Sequence, residues 1–303
     1  MSRSSYRGRF APSPTGLLHA GSLATALASW LDAKASQGIW LIRIEDLDTP
    51  RLVKGAEQGI LQQLAQMGMM SDEGVLYQSE RKPQYLEAIH SLNQGRLLYA
   101  CQCSRKKIAQ YIQSHPIPDS QEMVYPGFCR PLEPQICDLD EVNYAIRVRI
   151  PKNTIIKGQN LHQEVGDFVI LRQDGIFTYQ LSVVVDDAAQ GVTHIVRGQD
   201  LESNTPRQIW LQQQLGLTLP EYLHIPLVVN DSAEKLSKQT KAPIIWPQNS
   251  QEALIHLYQA GCHLELGLTK PHVTMTVSEW LNQAVMAWKN RREQRLGFFN
   301  TTQ

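Results

Sequence analysis

The segment from residue 6 to residue 34 constrains the fold of this chain more than any other. Residues 6–10 are typical of a short strand, residues 12–16 contain two prolines and a glycine, and residues 23–34 carry leucines at helical spacing. The helix can begin near Ser22, where free backbone N–H groups and the helix dipole favour a phosphate. The segment therefore predicts the strand, phosphate loop and helix that open a nucleotide-binding α/β unit.

A second motif, Lys235-Leu236-Ser237-Lys238-Gln239, follows much later in the chain. Either motif alone is also typical of a turn or of a solvated loop, so the prediction depends on the ordered pair. Together they indicate a split ATP site in which His19 and the two lysines hold a triphosphate while a carboxylate attacks the α-phosphorus. We predict His19, Lys235 and Lys238 as catalytic residues, and His19, Gly21, Ser22 and Lys238 as ATP-binding residues. The expected reaction is adenylation of an acid.

Composition indicates an ordinary globular protein. The chain has 303 residues, 42% of them hydrophobic, and 29 basic side chains balance 29 acidic ones. No apolar stretch approaches the roughly 18 residues of a membrane span, and the first residues lack the apolar core of a signal peptide. We therefore expect a cytoplasmic protein, whose contacts with nucleic acid would depend on local patches of charge.

The remaining periodicities indicate an α/β chain that is interrupted once. Further strands are predicted at residues 39–45, 144–150, 191–197 and 223–229, and helices at residues 54–69, 81–94, 204–215, 251–260 and 277–292. Asp174-Gly175 predicts a hairpin between strands at residues 167–172 and 176–185. The apolar stripe that includes Trp280 and Trp288 favours core packing over a contact surface.

Cysteines, prolines and charged residues break the helical periodicity between residues 99 and 151, which predicts an inserted subdomain. We predict four segments: 1–98 as the first half of the catalytic domain, 99–151 as the insertion, 152–247 as the second half, and 248–303 as a short helical C-terminal region.

Three cysteines of the insertion, Cys101, Cys103 and Cys129, are a candidate metal site. Closely spaced thiolates favour tetrahedral zinc, although free buried thiols would give the same pattern. Tyr125 offers a phenol as a fourth ligand, whereas Cys137 would complete a site of four thiolates. Spacing alone leaves both choices open.

The two ATP motifs resemble the HIGH and KMSKS motifs of class I aminoacyl-tRNA synthetases, with Ala20, Ser22 and Gln239 departing from the family pattern. Further segments occur in the same order in glutamyl-tRNA synthetases: residues 9–16, 42–46, 183–187, 196–200 and 203–208. The resemblance extends from residue 7 to about residue 247. It implies a Rossmann-type class I synthetase catalytic domain with an inserted zinc-containing subdomain and a short helical C-terminal part.

The resemblance also implies a site for L-glutamate. Arg9 and Arg197 would bind the carboxylates, because the guanidinium fork matches a carboxylate, and Glu45 would bind the ammonium group. The full predicted glutamate-binding set is Arg9, Phe10, Ala11, Pro12, Ser13, Glu45, Tyr179 and Arg197. Without the resemblance, Glu45 could equally pair with Arg43 or Arg51. Asp186, Asp187 and Asp200 are expected to orient these side chains or the ribose.

For the metal, the resemblance selects Cys101, Cys103, Tyr125 and Cys129 as ligands of one structural Zn²⁺, because shortened relatives of the glutamyl synthetases carry Cys-x-Cys followed by Tyr-x-x-x-Cys. Mg²⁺ is expected with ATP. Four protein ligands leave no open position for substrate, so the zinc would have a structural role.

Residues beyond the second ATP motif are too few for the helical anticodon-binding part of a full glutamyl-tRNA synthetase. The chain thus resembles the shortened paralogues that transfer glutamate to queuosine in the anticodon of tRNA(Asp). That resemblance implies ATP, L-glutamate and a tRNA(Asp) anticodon stem-loop carrying queuosine as partners, and we expect a monomer. The alternatives are a minimal synthetase that charges tRNA(Glu), an adenylating ligase with a small-molecule acceptor, and an inert RNA-binding module.

Overall fold

The computed structural model describes residues 6–115, 124–139, 144–228 and 243–300, with side chains up to residue 292. The chain divides into two compact units. Unit 1 comprises residues 1–79, 191–202 and 220–303, and unit 2 comprises residues 80–190 and 203–219. The four-segment division expected from the sequence stays a prediction.

Helices and strands alternate through most of the chain. In chain order they are β1 (Arg7–Phe10), α1 (Ala20–Ala35), β2 (Ile39–Ile44), α2 (Ala56–Gln66), β3 (Leu76–Tyr77), α3 (Lys82–Gln94), β4 (Leu98–Cys101), α4 (Arg105–Ser114), β5 (Ala145–Val148), β6 (Ile155–Ile156), β7 (Gln159–Asn160), α5 (Leu161–Glu164), β8 (Val169–Leu171), α6 (Tyr179–Ala189), β9 (His194–Gly198), α7 (Thr205–Gln214), β10 (Glu221–Ile225), α8 (Ser250–His263) and α9 (Val277–Asn300). No helix in the described part of the chain combines the length and the apolar character that crossing a membrane needs.

Unit 1 is built on a parallel sheet. Its order among the described strands is β10-β9-β1-β2-β3, and every pair within it is parallel. Strands β2 and β3 lie on one side of β1, and β9 and β10, which come later in the chain, lie on its other side. The order therefore reverses between β1 and β9, and such a switch point opens a crevice at the carboxyl ends of the strands. The α/β class expected from the sequence is confirmed.

Helix α1 is the centre of the core of unit 1. It packs on β1, β2 and β9 and also against α8 and α9. Leu23, Leu27 and Leu31 are buried, and alanines on the other faces of the helix are buried as well. Trp280 and Trp288 of α9 join the same core, which confirms that the apolar stripe of this helix is a packing surface.

Unit 2 contains an antiparallel sheet in the order β4-β5-β8 and the short β6-β7 ribbon. Helices α3 and α7 both pack against α6. The first cysteine of the predicted metal site, Cys101, is the last residue of β4.

The predicted second strand of the hairpin at residues 176–185 is wrong. A β-bridge joins Leu171 and Phe177, but the chain then forms α6 from Tyr179. The run of valines in this segment reads as a strand because β-branched residues favour strands. Helix α6 buries side chains on several faces, and a helix buried in this way has no polar stripe to reveal its period.

Candidate active site

Two arginines lie at the switch point of the sheet of unit 1. Arg9 lies near the carboxyl end of β1, and Arg197 lies near the carboxyl end of the neighbouring β9. Their exposed fractions are only 3% and 2%. Two buried guanidinium groups on adjacent strands suit an anionic ligand, because burial strengthens the field of a charge.

Arg197 is oriented by two residues of β10 that the sequence did not single out. His224 lies opposite Arg197 in the parallel register, and its Nε2 accepts a hydrogen bond of 3.2 Å from the Nε of Arg197. The Arg197 guanidinium also lies 5.0 Å from the ring centre of Tyr222. The alternation of Tyr222 and His224 along a strand was visible in the sequence, but the strand partner was not.

Glu45 follows β2 directly and lies against the loop after β1. Its backbone N–H donates a 3.0 Å hydrogen bond to the carbonyl of Pro12, and Val53 makes a similar bond to Pro14. The Glu45 carboxylate is 3.5 Å from Nη2 of Arg43. The ion pair with Arg43 considered as an alternative therefore exists, but at a distance longer than a good hydrogen bond.

His19 is the N-cap of α1. Its Nδ1 accepts hydrogen bonds from the backbone N–H groups of Gly21 at 3.1 Å and Ser22 at 3.4 Å, and the Ser22 hydroxyl accepts one from the His19 backbone N–H at 2.8 Å. Because Nδ1 is an acceptor, the neutral imidazole carries its proton on Nε2. The cap thus fixes a tautomer whose Nε2–H can donate to a ligand beside the start of the helix.

Gln63 joins the loop before α1 to the segment that follows the second ATP motif. Its fully buried amide accepts from the backbone N–H of Leu18 at 2.9 Å and donates to the carbonyl of Ile245. Ile245 in turn donates to Leu18 at 3.0 Å, and Ile244 forms a β-bridge with His19. Sequence reasoning missed Gln63, since one amide on an amphipathic helix carries no distinctive signal.

Several of the other predicted site residues are outside the described residues or belong to unit 2. Lys235 and Lys238 are outside the described residues. Tyr179 is the first residue of α6 in unit 2. Asp186 is fully buried in unit 2, where it accepts hydrogen bonds from Nε of Arg81 at 2.9 Å and from the Tyr85 hydroxyl at 2.6 Å. These contacts give Asp186 a structural role between α3 and α6.

The three cysteines of the insertion converge in unit 2. The sulfurs of Cys101, Cys103 and Cys129 lie within 4.8 Å of one another. The Tyr125 hydroxyl lies 3.4 Å from the Cys101 sulfur and 3.5 Å from the Cys103 sulfur, and the sulfurs of Cys103 and Cys129 are 3.6 Å apart. Tetrahedral zinc at its usual bond lengths places two sulfurs about 3.8 Å apart and a sulfur and an oxygen about 3.5 Å apart. The four groups fit such an ion.

Cys137 lies apart from this group. Its backbone N–H and carbonyl both pair with the side chain of Asn93 at 2.8 Å, and its thiol points to the carbonyl of Asp138. The geometry therefore favours Tyr125 over Cys137 as the fourth ligand.

Local interactions shift the pKa values of the clustered groups in different directions. Burial raises the pKa of the Cys103 thiol and of the Tyr125 phenol. At Cys129 burial acts in the same direction, but hydrogen bonds from the Gln102 backbone and from the side chains of Tyr125, Cys103 and Cys101 together outweigh it and lower the pKa. The surrounding protein thus favours the Cys129 thiolate.

Comparison with known proteins defines the class. The family described as tRNA synthetases class I (E and Q), catalytic domain, matches residues 5–252. This match covers more than half of the chain, so the chain belongs to the class I tRNA synthetases of the E and Q type and is a ligase.

Individual relatives within this class are more similar to the chain. The chain is 48% identical to a Glutamyl-Q tRNA(Asp) synthetase of Cupriavidus metallidurans over 94% of this chain and 92% of that relative. It is 49% identical to a Glutamyl-Q tRNA(Asp) synthetase of Thiobacillus denitrificans over 82% of each. A solved glutamate tRNA ligase of Elizabethkingia meningosepticum, in complex with its amino acid, has 28% identity and a TM-score of 0.66. That match covers 78% of this chain and 52% of the solved one, so the chain spans about half the length of that ligase.

Proposed function

We propose that the chain activates L-glutamate with ATP and transfers the glutamyl group to queuosine in the anticodon of tRNA(Asp). The observation that carries this proposal is the pair of buried arginines, Arg9 and Arg197, at the switch point of a sheet whose first helix is capped by His19. A ligand with two carboxylates suits the arginines, and a triphosphate suits the helix N-terminus. The relatives named Glutamyl-Q tRNA(Asp) synthetase support the acceptor.

In this proposal glutamate binds with Arg9 and Arg197 on its carboxylates and Glu45 on its ammonium group. His224 and Tyr222 keep the Arg197 guanidinium in one orientation, which reduces the side-chain entropy lost on binding. The proposed contacts from the end of β1 and the loop after it are Phe10, Ala11, Pro12 and Ser13. A contact from Tyr179 stays a prediction from the resemblance.

ATP binds beside the N-terminus of α1, with His19, Gly21 and Ser22 at its phosphates and Lys235 and Lys238 approaching from the second motif. Chain length is consistent with this role for Lys238, because Lys238 comes six positions before Ile244, which bridges to His19. Six residues span at most about 20–22 Å.

The reaction has two steps. An oxygen of the glutamate α-carboxylate attacks the α-phosphorus of ATP, the bond to the β-phosphate oxygen breaks, and pyrophosphate leaves. The Nε2–H of His19 and the charge of Lys238 stabilise the negative charge on the phosphate in the transition state. A hydroxyl of queuosine then attacks the carbonyl carbon of glutamyl-adenylate, and AMP leaves. Mg²⁺ accompanying ATP would screen the phosphates, and we assign it no protein ligand.

Transfer of radiolabelled glutamate in the presence of ATP tests the acceptor. Three purified RNAs are compared: tRNA(Asp) with queuosine, the same tRNA(Asp) without queuosine, and tRNA(Glu). We expect label on the first RNA alone, because only that RNA carries the queuosine hydroxyl.

Label on tRNA(Glu) would instead assign the chain as a minimal synthetase for that tRNA. Label on none of the RNAs, with glutamate-dependent pyrophosphate exchange intact, would point to a small-molecule acceptor. Absence of both activities would indicate an inert RNA-binding protein.

We also propose that Cys101, Cys103, Tyr125 and Cys129 bind one structural Zn²⁺, and that the chain is a monomer. The spacing of the three sulfurs and the phenol oxygen supports the zinc site. When bound, zinc would cross-link β4 to the loop that carries Tyr125 and Cys129.

Replacing Cys129 with Ala should abolish stoichiometric zinc, whereas replacing Cys137 with Ala should leave it at one per chain. Structural zinc sites bind with about 10–16 kcal/mol, so the loss of one of four ligands should cost about 2.5–4 kcal/mol of binding free energy. Metal content after dialysis against a weak chelator measures the difference. Loss of zinc on replacement of Cys137 with retention on replacement of Cys129 would overturn the ligand assignment.

A further inference from the structure

Arg147 lies on the face of the Tyr125 ring. The central carbon of its guanidinium is 3.8 Å from the ring centre, the distance of direct stacking. Arg147 is on β5, where it pairs with Tyr99 of β4, and Cys101 pairs with Ala145 two residues away. Side chains opposite each other and two residues apart share one face of a sheet. The sheet therefore presents Arg147 and the ligand Cys101 on the same side.

Within the described part of the chain, the buried charge of Arg147 has no ion pair with a carboxylate. Only 9% of the residue is exposed, and its Nη1 donates a 2.8 Å hydrogen bond to the backbone carbonyl of Asp167. Its Nε has no hydrogen-bond partner among the described residues. The nearby carboxylate of Asp167 is already bonded to Arg130 at 2.5 Å, to the Tyr99 hydroxyl at 2.7 Å and to the Ile150 N–H at 2.8 Å. A buried cation without a counter-charge is costly, so a compensating anion is expected nearby.

A zinc ion bound by the four groups would supply this negative charge. A divalent ion with three thiolates and one phenolate has a net charge of minus two, and the phenolate is the ligand that Arg147 touches. Metal-bound ligands commonly need such outer partners to hold their orientation and to balance their charge. The backbone N–H of Cys129 also donates to the Tyr125 hydroxyl at 2.9 Å. The two contacts together fix where the phenol oxygen points.

We infer that Arg147 is a positioning residue of the metal centre, which holds the Tyr125 ring with its oxygen toward the three cysteines and compensates the charge of the metal-bound phenolate. This inference rests on the zinc site proposed above. It goes beyond the ligand set, because it makes the affinity for metal depend on a side chain that does not touch the ion.

The experiment measures Zn²⁺ affinity by competition with a chromophoric chelator. Arg147→Met keeps much of the length of the side chain and removes its charge, and we expect its affinity to fall about 10- to 100-fold. Arg149→Met is the matched control, because the Arg149 guanidinium donates to the carbonyls of Pro131 and Leu132 instead. We expect that control to bind as the wild type does. Arg147→Lys, which keeps the charge but loses the planar stack, should lie between the two.

A double-mutant cycle separates this role from simple support of the fold. In a Tyr125→Phe background no phenolate can form, so Arg147→Met should change Zn²⁺ affinity less than twofold. The Co²⁺ form gives a second readout: its visible absorption should change on Arg147→Met in the wild-type background and stay constant in the Tyr125→Phe background. This comparison is made between variants that share one far-ultraviolet circular dichroism spectrum.

An equal loss of affinity in both backgrounds would overturn the inference and leave Arg147 as a packing residue. Unchanged affinity in Arg147→Met would also overturn it, while the zinc site itself stands. A wild-type chain that binds no Zn²⁺ would overturn the site and the inference together. If Arg147→Met does not fold, unchanged affinity in Arg147→Lys and Arg147→Gln would overturn the role.

Discussion

Replacing His19 with Asn is expected to slow formation of glutamyl-adenylate about 10²- to 10³-fold without destabilising the fold. Asn is among the best N-cap residues, and its side-chain oxygen can accept from the N–H groups of Gly21 and Ser22 that now bond to Nδ1 of His19. What Asn lacks is the Nε2–H of the neutral imidazole. Loss of one preorganised donor to a charged transition state typically costs about 2.7–4 kcal/mol.

ATP–pyrophosphate exchange with glutamate, in the presence of the RNA acceptor, measures this rate. The KM for glutamate should change little, because Arg9, Arg197 and Glu45 are untouched. Thr25→Ala is the control: it removes a hydroxyl that bonds to the carbonyl of Gly21 at 3.0 Å in the same part of α1. We expect its rate to stay within about threefold of the wild type, since that hydroxyl carries no charge and only this neutral bond is lost.

An exchange rate equal to the wild type in the Asn variant would remove His19 from the chemistry. A parallel fall in rate and in unfolding free energy would mean that His19 acts only as a cap. The combination of a slow reaction with an intact fold supports a donor role.

Replacing Asp32 with Ala is expected to lower the free energy of unfolding by about 2–6 kcal/mol, because two buried donors lose their acceptor at about 1–3 kcal/mol each. Asp32 is on α1 and only 2% exposed. Its carboxylate accepts from the Tyr6 hydroxyl at 2.5 Å, from Nε1 of Trp288 at 2.9 Å and from Nη1 of Arg292 at 3.0 Å. Alanine would leave the Tyr6 and Trp288 donors buried without an acceptor.

Urea denaturation followed by tryptophan fluorescence measures this loss. Lys34→Ala, on the same helix, breaks the exposed ion pair with Asp72 and should cost under about 1 kcal/mol. A loss below about 1 kcal/mol for Asp32→Ala would show that water replaces the carboxylate, and that Asp32 does not anchor α9 to α1.

The sequence predicted those parts of the fold whose signal is local. The strand, loop and helix from β1 through α1 follow from short-range periodicity and from the residues that precede the helix. Each wrong or missing assignment concerns a segment whose conformation depends on distant contacts. Helix α6 is the example: its valines favour a strand, but packing against α3 and α7 buries them in a helix.

For the candidate site, the sequence supplied the chemistry and the resemblance supplied the roles. The sequence could not show that the register of β9 and β10 places His224 against Arg197. It also could not show that Gln63 holds the segment after the second motif against the loop before α1. Both contacts join residues that are far apart in the chain or on strands whose pairing is unknown beforehand.

The sequence by itself determined the class of the chain, its ATP motifs and the cysteines of a candidate metal site, because these depend on residue type and short spacing. Only the tertiary structure placed the Tyr125 hydroxyl beside the sulfurs of Cys101 and Cys103, brought Arg147 onto the Tyr125 ring and buried Asp32 against Trp288. The physical reason is that hydrogen bonding and burial depend on which residues distant in the chain come into contact. Strand register and helix packing determine those contacts.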